Sequence, residues 1–237
     1  MAEGSPTQAK SSGHRRQQGQ ISTPNPCRSS EHPRRRKSYA LREAVAGVLE
    51  AEGFRLLGAG SAAEALPQIL LHRPDIAVVD IRLTDSTAVE FCRAARALLP
   101  PLRFLLLTSY EDHRPVQEAV LAGASGLVLR QLRSGALISA VRQTAGGVRL
   151  LNAAVRSKVI QDFSGAAAAD DPRRSGLTST ESHLLALVAQ GLDDESISRK
   201  TTVSIADIPK ILRHALSKLG IDPLDHTRPP ASPPAPL

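Results

Sequence analysis

Aromatic and sulfur-containing side chains are scarce in this chain, and long apolar runs are missing. Its 237 residues include no Trp, two Tyr and four Phe, too few for the stacking platforms that bind single-stranded nucleic acid. The two cysteines, Cys27 and Cys92, form no motif, so neither a disulfide framework nor a CxxC metal site is indicated. No apolar run approaches the roughly 18 residues needed to span a bilayer, and the N-terminus has no signal-peptide core. We therefore expect a soluble, cytoplasmic protein with no membrane partner.

Positive charge is concentrated at one end of the chain. The formal net charge is +7, and residues 1–38 hold eight Lys and Arg against two Glu, so that +6 falls there and +1 on the remainder. The segment is also rich in Ser, Gln, Gly and Pro, a composition that predicts a disordered basic N-terminal tail over residues 1–38. Such a tail either binds nucleic-acid phosphates without sequence preference or is simply solvated, and both alternatives stay open.

One short β-branched run ends on a lone carboxylate. Ile76 to Val79 is apolar without alternation and is followed by Asp80, which is typical of a strand buried on both faces of a parallel sheet. Chemistry in open α/β sheets gathers at the carboxyl ends of the strands. Asp80 is therefore a candidate functional residue, and the alternative is that it only caps the following turn.

Alternating apolar runs and helical patterns extend over residues 39–151. We expect strands at 54–57, 76–79, 102–107 and 126–129, and helices at 62–71, 89–98, 116–122 and 134–144. A further helical face carries Leu41, Val45 and Leu49 and ends near Gly53. Strands that alternate with helices predict a doubly wound parallel sheet.

The remainder of the chain predicts a second, smaller domain. Residues 152–176, with an alanine run and an Asp-Asp-Pro-Arg-Arg sequence, are predicted to be an interdomain linker. Thr178 to Glu181 form a capping box, and three short helical patterns then fit within residues 177–221 with a tight turn between the second and third. This spacing suggests a helix-turn-helix. Residues 222–237 are rich in Pro and are predicted to form a disordered tail.

A glycine pattern offers a competing interpretation. Gly58-Ala-Gly60-Ser-Ala-Ala63 follows a strand and resembles a GxGxxA dinucleotide fingerprint, and Asp80 lies about 20 residues further on. The abundance of alanine makes such matches easy to obtain, and the fingerprint leaves unexplained the hydroxyl pair Thr108-Ser109 at the end of the next strand. An enzyme that binds a dinucleotide is therefore a weak alternative.

Several motifs in order along the chain resemble a known family. The stretches Asp80-Ile-Arg-Leu, Leu107-Thr-Ser-Tyr110 and Ala122-Gly-Ala-Ser-Gly126 resemble the receiver domain of response regulators. The stretches Leu177-Thr-x-x-Glu181, Gln190-Gly-Leu192 and Lys218-Leu-Gly220 resemble the LuxR-type helix-turn-helix. Together they resemble the NarL/FixJ subfamily over roughly residues 40–221. The resemblance implies a flavodoxin-like (CheY-like) α/β receiver followed by a small all-α DNA-binding domain.

The resemblance also implies a phosphorelay. It assigns Asp80 as the acceptor of a phosphoryl group from a sensor histidine kinase, with Thr108 and Arg130 as the residues that bind the phosphoryl group and switch the domain. Mg²⁺ is expected for the family and requires an acidic pair, but alignment of the first helix puts Arg36 and Lys37 at those positions. Two cations there would repel a hard cation, so no metal is expected and the receiver is predicted to be phosphorylated poorly or not at all.

The predicted DNA-reading helix departs from the family as well. Where the family has Thr-Val-Lys, this chain has Asp207-Ile-Pro209. If Ser204 caps the helix, Pro209 removes one of its hydrogen bonds at a cost of about 3 kcal/mol. If Asp207 caps it, the proline falls in the first turn, where it is tolerated. The resemblance assigns DNA contacts to Lys210, Arg213 and Lys218, for which the alternative is an ordinary solvated helix face.

Two functions from different classes remain after these departures. The first is a DNA-binding transcriptional regulator that is not an enzyme, with a sensor kinase and a homodimer or a heterodimer with related regulators as partners. The second is a pseudo-receiver that binds kinases or intact regulators without reading DNA. The family's last helix, which forms its dimer contact, is replaced here by Asp222-Pro223 and the Pro-rich tail.

Overall fold

The computed structural model describes residues 20–23, 43–108, 114–129, 134–164 and 176–223. Five parallel strands form one sheet in the order β2-β1-β3-β4-β5. Their bounds are β1 Gln20–Thr23, β2 Arg55–Gly58, β3 Ile76–Asp80, β4 Arg103–Thr108 and β5 Gly126–Leu129. This is the flavodoxin-like order of a doubly wound sheet. The predicted fold is confirmed, and the four predicted strands lie within one residue of their expected bounds.

The first strand corrects the predicted disordered tail. β1 lies inside residues 1–38 and occupies the second place in the sheet, where Ile21 pairs with Leu56 of β2 on one side and with Ile76 of β3 on the other. The tail prediction is therefore wrong for these four residues, and β1 adds a fifth strand to the four that the sequence predicts. A strand between two neighbours gains its stability from backbone hydrogen bonds on both edges, which do not depend on side-chain character.

The receiver helices cover the two faces of the sheet. They are α1 (43–51 among the described residues), α2 Ala62–His72, α3 Ala88–Leu98, α4 Arg114–Leu121 and α5 Ser134–Ala145. Ile76 and Val78 of β3 join the core formed with α1 and α5, while Ala77 and Val79 join the core formed with α2, α3 and α4. Burial on both faces explains why this strand is continuously apolar.

A sixth helix corrects the predicted linker. α6, Ala153–Ser164, occupies about half of residues 152–176, and its Val159 and Phe163 are buried in the core that continues into the C-terminal helices. Asn152 starts the helix, since its Oδ1 accepts a hydrogen bond from the Val155 N–H at 2.8 Å. Within the linker range, residues 165–175 lie outside the described residues.

Three short helices follow, as predicted. They are α7 Ser179–Ala189, α8 Asp194–Lys200 and α9 Ile208–Lys218. The predicted capping box opens α7, because Thr178 and Glu181 exchange hydrogen bonds between side chain and backbone. Gly191 ends that helix at φ +88°, a backbone conformation that favours glycine. Among the helices of the described residues, none is long and apolar enough to cross a membrane.

Candidate functional site

The predicted phosphoacceptor and the predicted switch residue lie side by side in the fold. Asp80 ends β3 opposite Leu107 of β4, and Thr108 is the next residue of β4. Thr108 is 1% exposed and pairs in turn with Leu129 of β5. Arg130 comes directly after Leu129 in the chain but lies outside the described residues. The carboxyl edge of the sheet therefore brings Asp80 and Thr108 together, as strand order alone predicts.

The loop after Asp80 is tied to the sheet and to α2. The backbone N–H of Arg82 donates to Asp80 Oδ1 at 3.0 Å, and the N–H of Ile81 donates to the Leu107 carbonyl at 3.0 Å. Asp85 reaches the N-terminus of α2, where its two carboxylate oxygens accept hydrogen bonds from Ala62 and Ala63, both at 3.0 Å. The partial positive charge of that helix end is thereby neutralised from within the chain.

The capping of α2 by Asp85 argues against the dinucleotide interpretation. The pyrophosphate of a dinucleotide would need the backbone N–H groups that open α2. Asp85 occupies the N–H groups of Ala62 and Ala63, and Glu64 accepts the Gly60 N–H through Oε2 at 2.6 Å. The glycine fingerprint therefore serves a helix start that the protein caps with its own carboxylates.

The predicted lack of an acidic pair for Mg²⁺ beside Asp80 stays a prediction. Among the described residues, no group of three or more His, Cys, Asp and Glu is placed to hold a metal ion. Arg36 and Lys37 lie outside the described residues, but the position of β1 changes which residues follow the first strand. Pro24-Asn25 now come directly after it, and Glu31 is the one carboxylate in the sequence from residue 24 to residue 42. Neither alignment supplies the pair of carboxylates that the family's Mg²⁺ requires.

The start of the third C-terminal helix follows the second of the two predicted alternatives. α9 has Asp207 as its first flanking residue, and Pro209 lies within its first turn. Asp207 makes no side-chain cap to the helix, and its Oδ2 accepts a hydrogen bond from Ser204 Oγ at 2.7 Å instead. The Ile208 N–H still donates to the Ser204 carbonyl at 3.2 Å, so the preceding turn is continuous with the helix. Pro209 has no N–H to extend that pattern to Ile205.

Two of the three predicted DNA contacts lie on the exposed face of α9, and both have carboxylate partners. Lys210 is 76% exposed, and its Nζ lies 3.3 Å from Oδ1 of Asp207, the residue that precedes α9. Arg213 is 70% exposed, and its Nε donates to Oε1 of Glu90, on α3 of the receiver, at 2.7 Å. The helix that would read DNA is therefore joined to the receiver through a residue predicted to contact DNA.

The third predicted DNA contact has an internal partner. Lys218 Nζ donates to both carboxylate oxygens of Glu181, at 2.9 and 2.8 Å, and Glu181 is 4% exposed. His214 Nδ1 lies 2.9 Å from the same carboxylate. Burial raises the pKa of Glu181, but the hydrogen bonds from Lys218 and Thr178 outweigh it and hold the pKa below its ordinary value. The ionised carboxylate of Glu181 therefore links α7 to Lys218 and His214 of α9.

A second polar contact joins the receiver to the C-terminal helices. Arg93 of α3 donates through Nη1 to the Leu192 carbonyl at 3.0 Å and through Nη2 to Asp194 Oδ1, at the start of α8. The sequence patterns did not indicate Glu90, Arg93, Glu181 or Asp194 as site residues. Glu90 and Glu181 have a local signal as capping-box residues, but their partners lie 123 and 37 residues away in the chain.

Comparison with known proteins places these features in a family context. A family model described as the response regulator receiver domain matches residues 38–142. The chain is 37% identical over 164 residues to the DNA-binding transcriptional activator DevR/DosR of Mycobacterium tuberculosis, an alignment that covers 69% of this chain and 75% of that protein. It is 25% identical over 190 residues to the transcriptional regulatory protein LnrK of Bacillus subtilis, which covers 76% and 86% of the two chains.

One solved structure matches nearly the whole length of both chains. The response regulator ChrA of a heme-sensing two-component system is 25% identical to this chain, with 86% of this chain and 90% of that chain covered and a TM-score of 0.43.

Proposed function

We propose, from the premise that the chain belongs to the NarL/FixJ-type response regulators, that it is a DNA-binding transcriptional regulator whose receiver is phosphorylated poorly or not at all. The observation that supports regulation is the direct joining of the receiver to the helix-turn-helix through Glu90 and Arg213. The observation that supports weak phosphorylation is the segment after β1, which carries Pro24-Asn25 where an acidic pair is needed.

The receiver retains the acceptor and one phosphoryl-binding hydroxyl. In the proposed reaction, a carboxylate oxygen of Asp80 attacks the phosphorus of a donor phosphohistidine or acyl phosphate, and the donor leaves with its bonding electrons. Thr108 lies on the adjacent strand, where its hydroxyl would hydrogen-bond a phosphoryl oxygen. Without an acidic pair, the charge that develops in this step lacks its usual neutralisation, and the rate falls accordingly.

The contacts between the domains oppose DNA binding in the arrangement described here. Arg213 pairs with Glu90, and Arg93 holds Asp194 and the carbonyl of Leu192. DNA phosphates would have to displace Glu90 from Arg213. Because Arg213 is 70% exposed, that pair contributes no more than about 1 kcal/mol, or roughly fivefold in the balance between joined and separated domains. Displacing Glu90 from Arg213 is therefore only a small part of the cost of separating the domains, which also share the Arg93 contacts and the core around α6.

Selection from genomic DNA fragments tests the proposed function. The full-length protein, Glu90→Gln and the matched control Glu50→Gln would each be presented with fragments at low and near-physiological salt. We expect all three to enrich the same fragments and Glu90→Gln to bind them several-fold more tightly, since glutamine keeps a capping acceptor but loses the charge that holds Arg213. Deleting residues 1–38 is not a usable control, because the deletion would remove β1.

A second candidate is an interaction protein that pairs with kinases or intact regulators without reading DNA. It is favoured by the fact that all three basic residues expected to contact DNA are paired with carboxylates inside the chain. Unselective, salt-sensitive binding by every form in the fragment selection, with retained capture of a partner regulator, would establish this function instead.

The phosphorylation proposal has its own measurement. Intact-mass analysis after incubation with acetyl phosphate and Mg²⁺ should show little or no added phosphoryl group. A full phosphoryl gain that disappears in Asp80→Asn would contradict the proposal and leave the DNA-binding proposal standing.

A further inference from the structure

Arg96 of α3 is a half-buried cation that the fold holds in one position. Its guanidinium lies over the ring of Phe104, 5.1 Å from the centroid. Its Nη2 donates to the carbonyls of Ala122 and Gly123, at 3.2 and 3.1 Å. Gly123 has φ +64°, and a Cβ there would lie 2.9 Å from Nη2, so the close approach depends on glycine. The other guanidinium nitrogens of Arg96 have no hydrogen-bond acceptor among the described residues.

Two more arginines are brought to the same place by the connection between α5 and α6. The N–H groups of Leu150 and Leu151 both donate to the Ser125 carbonyl, at 2.7 and 3.1 Å. This pins the exposed Arg149 beside the segment whose carbonyls hold Arg96. Arg156 follows on the first turns of α6 and is half-buried. Three cations from separate parts of the chain therefore lie near enough for their charges to act on one another.

The charges of these arginines act on one another. Burial lowers the pKa of Arg96; Cys92 opposes this effect, and Arg93, Arg149 and Arg156 add to it. Burial also lowers the pKa of Arg156, and Arg149 lowers it further. Arg93 is neutralised by Asp194.

The other three have no carboxylate partner within the part of the chain that the structure describes. Among the described residues, no carboxylate therefore offsets the mutual repulsion of Arg96, Arg149 and Arg156. A half-buried group of cations without a counter-charge is the electrostatic complement of a multiply charged anion.

We propose that Arg96, Arg149 and Arg156 form a binding site for a small phosphate-bearing anion. Guanidinium groups match the oxygens of a phosphate in pairs, and a group with two or more negative charges neutralises more of the cluster than a single carboxylate does. Arg149 is exposed, and Arg96 and Arg156 are half-buried, so an anion that enters from solvent meets Arg149 first and a compact one approaches the other two more closely than a duplex backbone does. The site is separate from Asp80 and from α9, and it does not depend on the proposed function.

Occupancy would have a structural consequence. α6 carries Arg156 and shares its buried residues Val159 and Phe163 with the core that includes α7. An anion held by Arg96 of the receiver and Arg156 of α6 fastens the two together. The ligand would thereby stabilise the position of the C-terminal domain on the receiver.

Titration calorimetry with the full-length chain tests this site. Pyrophosphate and, separately, inorganic phosphate would be titrated at an ionic strength of about 0.15 M, kept constant with sodium chloride. We expect one saturable site in the wild type, with the more highly charged pyrophosphate binding more tightly. Arg149→Gln/Arg156→Gln should weaken binding by at least about tenfold, because two charged hydrogen-bonding groups are lost.

Two further variants make the result specific. Lys158→Gln removes one positive charge from an exposed position of the same helix and should bind pyrophosphate like the wild type. Arg149→Gln alone changes only an exposed side chain, so it provides a folded variant if the double variant does not fold, and its affinity should fall several-fold. In the absence of anion, the double variant should unfold at the same temperature as the wild type or a higher one, because the repulsion is gone.

Three results would overturn the proposal. They are no saturable binding in the wild type, unchanged binding in the double variant, and an equal loss in Lys158→Gln, which would show a general effect of net charge. A loss of duplex DNA binding in the double variant, without any pyrophosphate binding by the wild type, would assign the cluster to nucleic acid instead.

Discussion

Replacing Lys218 with Met separates a structural ion pair from a DNA contact. The substitution removes the ammonium that donates to Glu181 at 2.9 and 2.8 Å and keeps an unbranched apolar stem. The Glu181 carboxylate stays 4% exposed and retains the Thr178 N–H at 2.6 Å and the contact with His214. Hydrogen bonds to charged groups contribute about 1.5–3 kcal/mol. We expect the free energy of unfolding to fall by about 2 kcal/mol, less than for a fully buried pair because Lys218 is 26% exposed.

Urea unfolding of the whole chain provides the measurement, with Glu181→Gln and the double variant completing a cycle. If the pair is coupled, the double variant loses less stability than the sum of the two single losses. Lys210→Met is the matched control, because Lys210 is 76% exposed and should change stability by no more than about 0.5 kcal/mol.

The pH dependence gives an independent check on the same pair. The pKa of Glu181 is lowered in the folded chain from its ordinary value of 4.5. A group with a lowered folded pKa contributes stability above the unfolded value, and that contribution is lost as the pH falls through the folded pKa. The difference between wild type and Lys218→Met should therefore be constant at neutral pH and shrink below pH 4.5. A different result would identify Lys218 as a phosphate contact. In that case Lys218→Met would keep its stability but bind DNA more weakly, and the slope of log binding constant against log salt concentration would fall in magnitude by about one.

Two other carboxylates lead to predictions of opposite kinds. Burial raises the pKa of Glu118 on α4 to about 7, although a hydrogen bond from the Ala88 N–H and the charge of Arg82 oppose the shift. The folded state therefore binds more protons than the unfolded state between pH 4.5 and 7, so stability should fall over that range by up to about 3 kcal/mol. Glu118→Gln should abolish this decline in a pH series of thermal unfolding, and a decline of the same size in the variant would contradict the assignment. Asp85→Ala should lower the free energy of unfolding by about 1 kcal/mol, because it removes the acceptor of two N–H groups of α2. Hydrogen exchange of the Ala62 and Ala63 amides should then be faster than in the wild type. Exchange as slow as in the wild type would show that the cap contributes little.

The receiver fold was predictable wherever both faces of a strand are buried. β3 and β4 are apolar without interruption because each packs against helices on both sides, and their sequences therefore predicted their bounds to within one residue. The position of Asp80 at the carboxyl edge follows directly from this. Thr108 follows from the same rule applied to the neighbouring strand.

β1 and α6 could not be predicted for a shared reason. β1 has Ile21 as its one aliphatic residue and lies in a segment rich in Gln, Ser and Pro. It is held by backbone pairing to β2 and β3, which no side-chain pattern reports. α6 buries only Val159 and Phe163, one turn apart, and two apolar residues are too few to distinguish a docked helix from a linker.

The residues of the candidate site also differ in how far the sequence predicts them. Residues placed by strand order were predictable, whereas partners placed by domain packing were not. Glu90 was detectable from sequence as part of a capping box with Thr87, but its second oxygen accepts from Arg213, 123 residues further along the chain. No local sequence pattern predicts a contact between residues so far apart in the chain. In the sequence, the basic residues of α9 therefore look like DNA contacts that have no partner inside the protein.

The position of β1 also changes how the basic N-terminal region has to be understood. Five of its eight Lys and Arg, namely Arg28, Arg34, Arg35, Arg36 and Lys37, fall after β1 and before α1, so they belong to a connection inside the receiver sequence. That connection leaves β1 at Thr23, and because β1 and β3 are parallel, it starts at the edge where Asp80 ends β3. With Arg42, the connection carries six cations and one carboxylate, Glu31. The same positive charge that suggested a DNA-binding tail therefore also underlies the prediction that a divalent cation is disfavoured beside Asp80.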